Sequence, residues 1–449
     1  MPIRQAPEVM NDLAPTGPLG LAHRPAMIAI GEELAPAAPT DLRATGLDPA
    51  VVSHLALKTA YTVPQFTTEW AARQMHLPQA VVGEVLEQLR SDSMLDVLGA
   101  SGPFGFRYAI SGRGRERAAR LMEISGYVGP APVSLEDYTA MVKWQVARSP
   151  EVQPEHVAGS LSELILRQDD ALLAGLAVSS GRSLFVYGPP GNGKSSVGRL
   201  IHTALRGDFW IPHCIGIEDN IIRVYDPHVH QTVEGSDQPL RPTDRRWVHI
   251  RRPLVVAGGE MTLDSLDLIY SPALRYYEAP VQLKANGGTF LLDDYGRQRV
   301  VPHELLNRLI IPLEHRIDYL TLHTGQKIQI PFLLMLIIAT NLDPAAVTDP
   351  AFLRRMGYRL HLDQPSPEQY RQIFERYANQ VELPVQDGLL DRLLFRYSIE
   401  QRELRCCEPR DLIERARDIC RYTGRAPALD DAVMELAWTG YFGSKERAK

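Results

Sequence analysis

Cysteine is scarce in this chain. Its 449 residues carry four, Cys214, Cys406, Cys407 and Cys420, and no two form C-x-x-C. A disulfide framework and a four-thiolate zinc site are therefore excluded as organising devices, and the expectation is free thiols in a reducing, cytoplasmic setting. Long apolar runs are missing as well. The longest, Phe332 to Ala339, falls far short of the roughly 20 residues that span a bilayer, and it reads as a core strand. No signal-peptide pattern is visible at the start. Positive charge is not in excess: 48 Lys and Arg face 54 Asp and Glu, for a net charge of -6. That balance argues against a generally basic nucleic-acid-coating protein, and any such contact needs a local patch. What is present is ordinary globular material, 45% hydrophobic and 23% charged, enough for two or three domains.

Residues 1–42 hold seven prolines among many alanines without a sustained period, which predicts a weakly ordered arm. Met27 to Ile30 is its one strand-like stretch. Residues 43–126 then read as helix, helix-turn-helix, two-stranded hairpin and helix. Asp48 caps the first helix, Thr67 or Thr68 the second, and Pro78 opens the third, with Val81, Val82, Val85, Leu86 and Leu89 at helical spacing. That order looks like a winged-helix domain, whose third helix often reads DNA. Here the third helix presents Glu84, Glu87 and Gln88 with only Arg90 basic, and residues 47–125 carry eight basic and eight acidic residues. Phosphate neutralisation needs more cation than that. Arg113, Arg115, Arg117 and Arg120 form one basic stripe, most simply a solvated helix face. A protein partner is favoured and nucleic acid is the alternative. Residues 127–150 read as a proline-stiffened linker, Gly129 to Pro132, followed by a helix capped by Ser134.

The strongest signal is Gly188-Pro189-Pro190-Gly191-Asn192-Gly193-Lys194-Ser195, with Ser196 next. It follows the apolar strand Leu184 to Tyr187 and precedes a helix over Ser196 to Leu205. Strand, glycine loop and helix is the context in which backbone N–H groups and a helix N-terminus cradle phosphates. Lys194 is expected at the β/γ phosphates and Ser195 on Mg²⁺. Gly288 to Asp294 follows as a buried strand that ends in Asp293 and Asp294. Asp293 is assigned to the Mg²⁺ shell and Asp294 to orienting or deprotonating an attacking water. Phe332 to Asn341 is a second buried strand with a polar tip, where Asn341 can position that water. Arg354 and Arg355, after a short helix, are candidates for a charge-stabilising finger, and Arg410 for a cation pressed on the nucleotide by a lid. His213, His228 and His230 have no cysteine or carboxylate at ligand spacing, so a metal centre there is not favoured.

These motifs together resemble the AAA+ ATPase superfamily over residues 150–445. Lys194 and Ser195 match its Walker A motif, Asp293 and Asp294 its Walker B, Asn341 its sensor 1, Arg410 its sensor 2, and Arg354 or Arg355 its arginine finger. A hairpin expected within Leu313 to Phe332 is similar to one in the MoxR-like branch. Two departures stand out. Asp294 replaces the usual glutamate, and an Asp-Asp pair also resembles the STAND nucleotide switches. Lys194 and Asp293 are 99 positions apart, longer than the family leads one to expect.

The resemblance implies an α/β fold: a P-loop NTPase parallel sheet flanked by helices, a C-terminal helical lid, and the N-terminal winged-helix α+β domain. The nucleotide-binding core is placed at 151–360 with an insertion over about 208–277, and the lid at 361–449. It implies ATP and Mg²⁺, a ring oligomer such as a hexamer, and hydrolysis coupled to remodelling or assembling a protein client. A DNA-associated regulator and a slow nucleotide switch are the alternatives.

Overall fold

The computed structural model describes residues 26–30, 33–100, 105–234, 243–344 and 350–443. Residues 1–25 of the expected arm, and Asp349 before the arginine pair, lie outside them. Within the described part of the arm, the strand-like stretch is a strand, and it docks. Met27–Ile30 pairs antiparallel with Glu33–Pro36, and Asp244 donates its N–H to the Pro36 carbonyl at 2.8 Å. Docking on a distant segment satisfies backbone groups that a proline-rich arm cannot satisfy locally.

The N-terminal unit comprises helices Pro49–Tyr61, Thr68–Met75, Gln79–Ser91 and Gly112–Ile124 and a small antiparallel sheet, in the order Phe66–Thr67, Phe106–Ile110, Leu95–Ala100. The expected caps form. Asp48 accepts from Ala50 N–H at 2.8 Å and Thr67 from Trp70 N–H at 3.1 Å. Val52, Leu55, Val82, Leu86 and Tyr108 fill the core, while Glu84, Glu87, Gln88 and Arg90 face solvent. Lys58 is buried among them, its Nζ donating to the Ser125 carbonyl at 2.9 Å.

Residues 127–150 pack into the fold, and Ser134 caps its helix as expected, its Oγ accepting from Asp137 N–H at 3.0 Å. Ala131, Val133, Tyr138, Met141 and Val142 are all buried. Val133–Ser134 is the last strand of a five-stranded sheet that runs Ile269–Ser271, Tyr276–Glu278, Asn220–Arg223, Cys214–Ile217, Val133–Ser134. Helix Leu135–Ala147 is clamped to the neighbouring ribbon, because Gln145 both accepts from Trp210 N–H and donates to its carbonyl. Arg246, itself buried against Asp244, donates to the carbonyls of Thr45 and Pro132 at 2.7 and 3.2 Å and ties the N-terminal unit to this sheet. The stretch from Asp208 to Ile217 holds two strands, Asp208–Pro212 and Cys214–Ile217, in different sheets. His213 makes the crossing, giving its N–H to Arg246 and its carbonyl to Val224. Nor is the surplus over 208–277 one insertion: Leu254–Ala257, inside it, is an edge strand of the main sheet.

That main sheet is fully parallel. Its order is Leu254–Ala257, Thr289–Leu292, Met335–Thr340, Leu184–Tyr187, Tyr358–His361. Helices cover both faces, so its strands are apolar throughout; Phe185, Val186, Phe290, Leu291, Ile337 and Ile338 are fully buried. The strand expected from Phe332 starts only at Met335. Phe332 N–H is spent on the Arg316 carbonyl and Leu333 N–H on Asn286 Oδ1, as the chain leaves the hairpin Ile317–Thr321 with Lys327–Pro331. Four helices, Pro367–Gln380, Leu389–Ile399, Glu408–Thr423 and Asp431–Phe442, form the lid around Tyr370, Phe374, Tyr397 and Trp438. Among the described residues no helix is long and apolar enough to cross a membrane.

Candidate functional site

The carboxyl ends of the parallel strands face the lid, the edge at which open α/β sheets place ligands. The glycine loop crosses that edge with Gly188, Gly191 and Gly193 at φ of 140°, 84° and 81°, backbone that glycine alone adopts readily. At Gly188 a Cβ would also lie 2.1 Å from the Leu362 carbonyl oxygen. The helix begins at Lys194, two residues earlier than expected, and no side chain caps its opening turn. Lys194 is only 7% exposed. Its Nζ donates to the Pro189 carbonyl at 2.6 Å. Burial lowers its pKa, and the nearby Asp294 and Asp293 carboxylates oppose the drop.

Ser195 Oγ donates to Asp293 Oδ1 at 2.6 Å, and Asp294 N–H donates to the same oxygen at 3.1 Å. Asp293 itself is fixed by its N–H bond to the Ala257 carbonyl on the adjacent strand. Asp294 does not continue that strand. It turns at a left-handed φ of 48°, which throws its exposed carboxylate toward Asn341. Asn341 Nδ2 donates to Asp294 Oδ1 at 3.3 Å. A residue absent from the sequence reading holds this turn: Gln298 Nε2 donates to the carbonyls of Asp293 and Asp294 at 3.0 and 3.3 Å, and its Oε1 accepts from Gly296 N–H. Four and five residues past an acidic pair, a glutamine in a loop carries no sequence signal of its own.

Pro190, Gly191, Gly193, Lys194, Ser195, Ser196, Asp293, Asp294, Asn341 and Arg410 all line one cleft of about 440 Å³. The lid contributes its far wall. Cys407 N–H donates to the Gly191 carbonyl at 2.9 Å and Cys406 N–H to Asn192 Oδ1 at 3.3 Å. Asn192 thus braces the lid, while its Nδ2 is buried with no hydrogen-bond partner. Arg297, Cys406 and Cys407 also line the cleft, and spacing alone had not marked them. Arg354 and Arg355 stand apart from it: Arg354 is exposed, and Arg355 is bound to Glu314.

The donor set suits Mg·ATP. Ser195 Oγ and the Asp293 carboxylate are hard oxygen ligands held side by side, the protein share that Mg²⁺ usually takes beside phosphate and water. Two of the three candidate histidines, His213 and His230, are engaged elsewhere. His230 accepts from Asp226 N–H and contacts the Lys284 carbonyl, and His213 packs edge-on against His76 and Tyr225.

A family model described as a domain of unknown function (DUF8689) matches residues 366–440, which is the lid. No curated protein matches the chain. Among solved structures, the RuvB Holliday junction branch migration motor of Thermotoga maritima is 14% identical, over 62% of this chain and 70% of that one, with a TM-score of 0.37. NtrX from Brucella abortus in complex with ATP is 12% identical, over 72% of this chain and 62% of that one, also at 0.37. The parallel sheet, its phosphate loop and the helical lid give this chain a P-loop NTPase fold.

Proposed function

We propose that this chain is an AAA+ ATPase that binds Mg·ATP in the cleft, hydrolyses it between neighbouring subunits of a ring, and uses the cycle to remodel or assemble a protein client. One observation carries the reading. The pair Ser195–Asp293 and the pair Asp294–Asn341 lie along one cleft that Lys194 and Arg410 also line. Loop N–H groups and the helix start bind the phosphates, and Lys194 exchanges the Pro189 carbonyl for a phosphate oxygen. Ser195 and Asp293 hold the metal. Mg²⁺ supplies charge neutralisation on the phosphates. Asp294 accepts a proton from the attacking water while Asn341 fixes its carboxylate, and Arg410 adds positive charge from the lid. Arg354 or Arg355 serves the next subunit's site, which is why a ring, most simply a hexamer, is invoked. The acidic outer face of helix Gln79–Ser91 favours a protein client over DNA for the winged-helix unit.

The test is steady-state phosphate release across protein concentration, with Lys194→Ala and Asp294→Asn alongside, and duplex DNA binding at two salt concentrations. Turnover that rises with assembly and is indifferent to DNA supports the proposal. Turnover that depends on DNA, with salt-sensitive binding, supports the regulator instead. A single round of hydrolysis with retained ADP marks the slow switch, which the short Asp294 side chain, already bonded to Asn341, would favour.

A further inference from the structure

We propose that Cys407 is a thiol-modification site for a small anionic disulfide, and that a mixed disulfide at its Sγ and nucleotide in the cleft exclude each other. The inference rests on the reading that the cleft binds nucleotide. Of the four cysteines, Cys214 and Cys420 are buried, whereas Cys406 and Cys407 are partly exposed and both line the cleft. Cys407 is pressed against the phosphate loop. Its N–H bonds the Gly191 carbonyl, and its Sγ lies 2.7 Å from where a Cβ on Gly191 would be. On another side the Tyr441 hydroxyl stands beside it. Loop and lid thus close off two directions, and a group added to the sulfur projects into the cleft that Lys194, Ser195 and Arg410 share. Lys194, Arg297 and Arg410 outnumber Asp293 and Asp294 in that cleft, a balance that attracts an anionic reagent such as oxidised glutathione.

The chemistry is thiol–disulfide exchange. The Cys407 thiolate attacks one sulfur of the disulfide, a new S–S bond forms, and the old one breaks. The released half leaves as a thiolate and takes up the proton that Cys407 lost, so the incoming disulfide is the oxidant and no other is needed. A reducing thiol reverses the step. Burial raises both thiols, Cys406 to about 11, so the exchange is slow at neutral pH and quickens as pH rises. Cys406, whose thiol burial pushes up to about 11, is the poorer site.

The experiment treats the full chain with oxidised glutathione, with and without Mg·ATP. Peptide mapping locates the adduct, and binding of a fluorescent ATP analogue is read before and after dithiothreitol. The expected result is an adduct on Cys407, binding lowered at least tenfold and restored by reductant, and adduct formation slowed at least tenfold by Mg·ATP. Cys407→Ser should bind analogue, at whatever level, without responding to reagent or reductant, while Cys406→Ser keeps the response. An adduct on Cys407 that leaves binding unchanged overturns the inference, as does one whose rate ignores Mg·ATP, or labelling confined to other cysteines. Failure of the untreated, reduced chain to bind the analogue overturns the nucleotide reading itself, a separate outcome.

Discussion

Arg355 is held by Glu314, its Nε and Nη2 donating to one carboxylate oxygen at 2.9 and 2.7 Å. The arginine pulls the Glu314 carboxyl below its ordinary range. The pair is solvent-accessible, and exposed pairs are weak. In the proposed ring, a phosphate of the next subunit's nucleotide could therefore take the guanidinium from it. Arg355→Ala is expected to lower saturated turnover on the order of a thousandfold and to abolish its rise with protein concentration, while nucleotide affinity of the isolated chain stays within twofold. Phosphate release measured over a dilution series checks this; unchanged turnover would transfer the finger role to Arg354 or remove it.

Gly188 joins two constraints, a φ of 140° and a Cβ position 2.1 Å from the Leu362 carbonyl oxygen. Gly188→Ala should cost at least about 1–3 kcal/mol from backbone strain alone, displace the last strand from the loop, and weaken nucleotide binding. Leu291→Ala, at the fully buried centre of the sheet, should cost about 2–5 kcal/mol without changing the loop's backbone. Chemical denaturation of both variants beside a binding assay separates the two effects.

The sequence carried the phosphate loop clearly because everything it needs is local: four apolar residues, three glycines and a helix. Asp293 and Asn341 were legible for a related reason, since each ends a run too apolar to be anything but a doubly covered strand. The middle sheet was not legible. It sets Val133–Ser134 beside Cys214–Ile217 and Asn220–Arg223 beside Tyr276–Glu278, and no local pattern encodes pairing between segments so far apart in the chain. Buried charges such as Arg246 and Lys58 were invisible for the same reason, because a lone cation reads as surface until its distant carbonyl partners are known. Cys406 and Cys407 read as bland thiols, and only the docking of the lid brings them to the loop.

Arg308 donates to both oxygens of Asp318, and Gln282 Nε2 donates to one of them at 2.9 Å. This buried cluster fastens helix Pro302–His315 to the hairpin that follows. Asp318→Ala leaves the half-buried guanidinium with Asp267 as its remaining carboxylate partner and Gln282 without its acceptor there, and should destabilise by about 1–3 kcal/mol. A double-mutant cycle with Arg308→Met measures the coupling, which should recover part of that loss.

Lys58 gives a pH test. Burial lowers its pKa from the ordinary lysine value of 10.5 to about 8. Between those values the unfolded chain holds a proton that the folded chain has released. The Lys58 contribution to stability therefore rises with pH from about 8 to about 10.5, by on the order of 3 kcal/mol in total. Subtracting the profile of Lys58→Met from that of the parent isolates this slope; a flat difference would contradict the buried, cationic Lys58.

The most direct test of the account compares nucleotide affinity and phosphate release for the parent, Lys194→Ala and Asp294→Asn under one Mg·ATP titration. The account predicts that Lys194→Ala loses binding by at least about a hundredfold, roughly the 3 kcal/mol of a charge-assisted hydrogen bond. It predicts that Asp294→Asn binds within a few-fold of the parent and turns over at least about a hundredfold more slowly. A parent chain that binds no nucleotide, or an Asp294→Asn chain that hydrolyses at the parental rate, would contradict it.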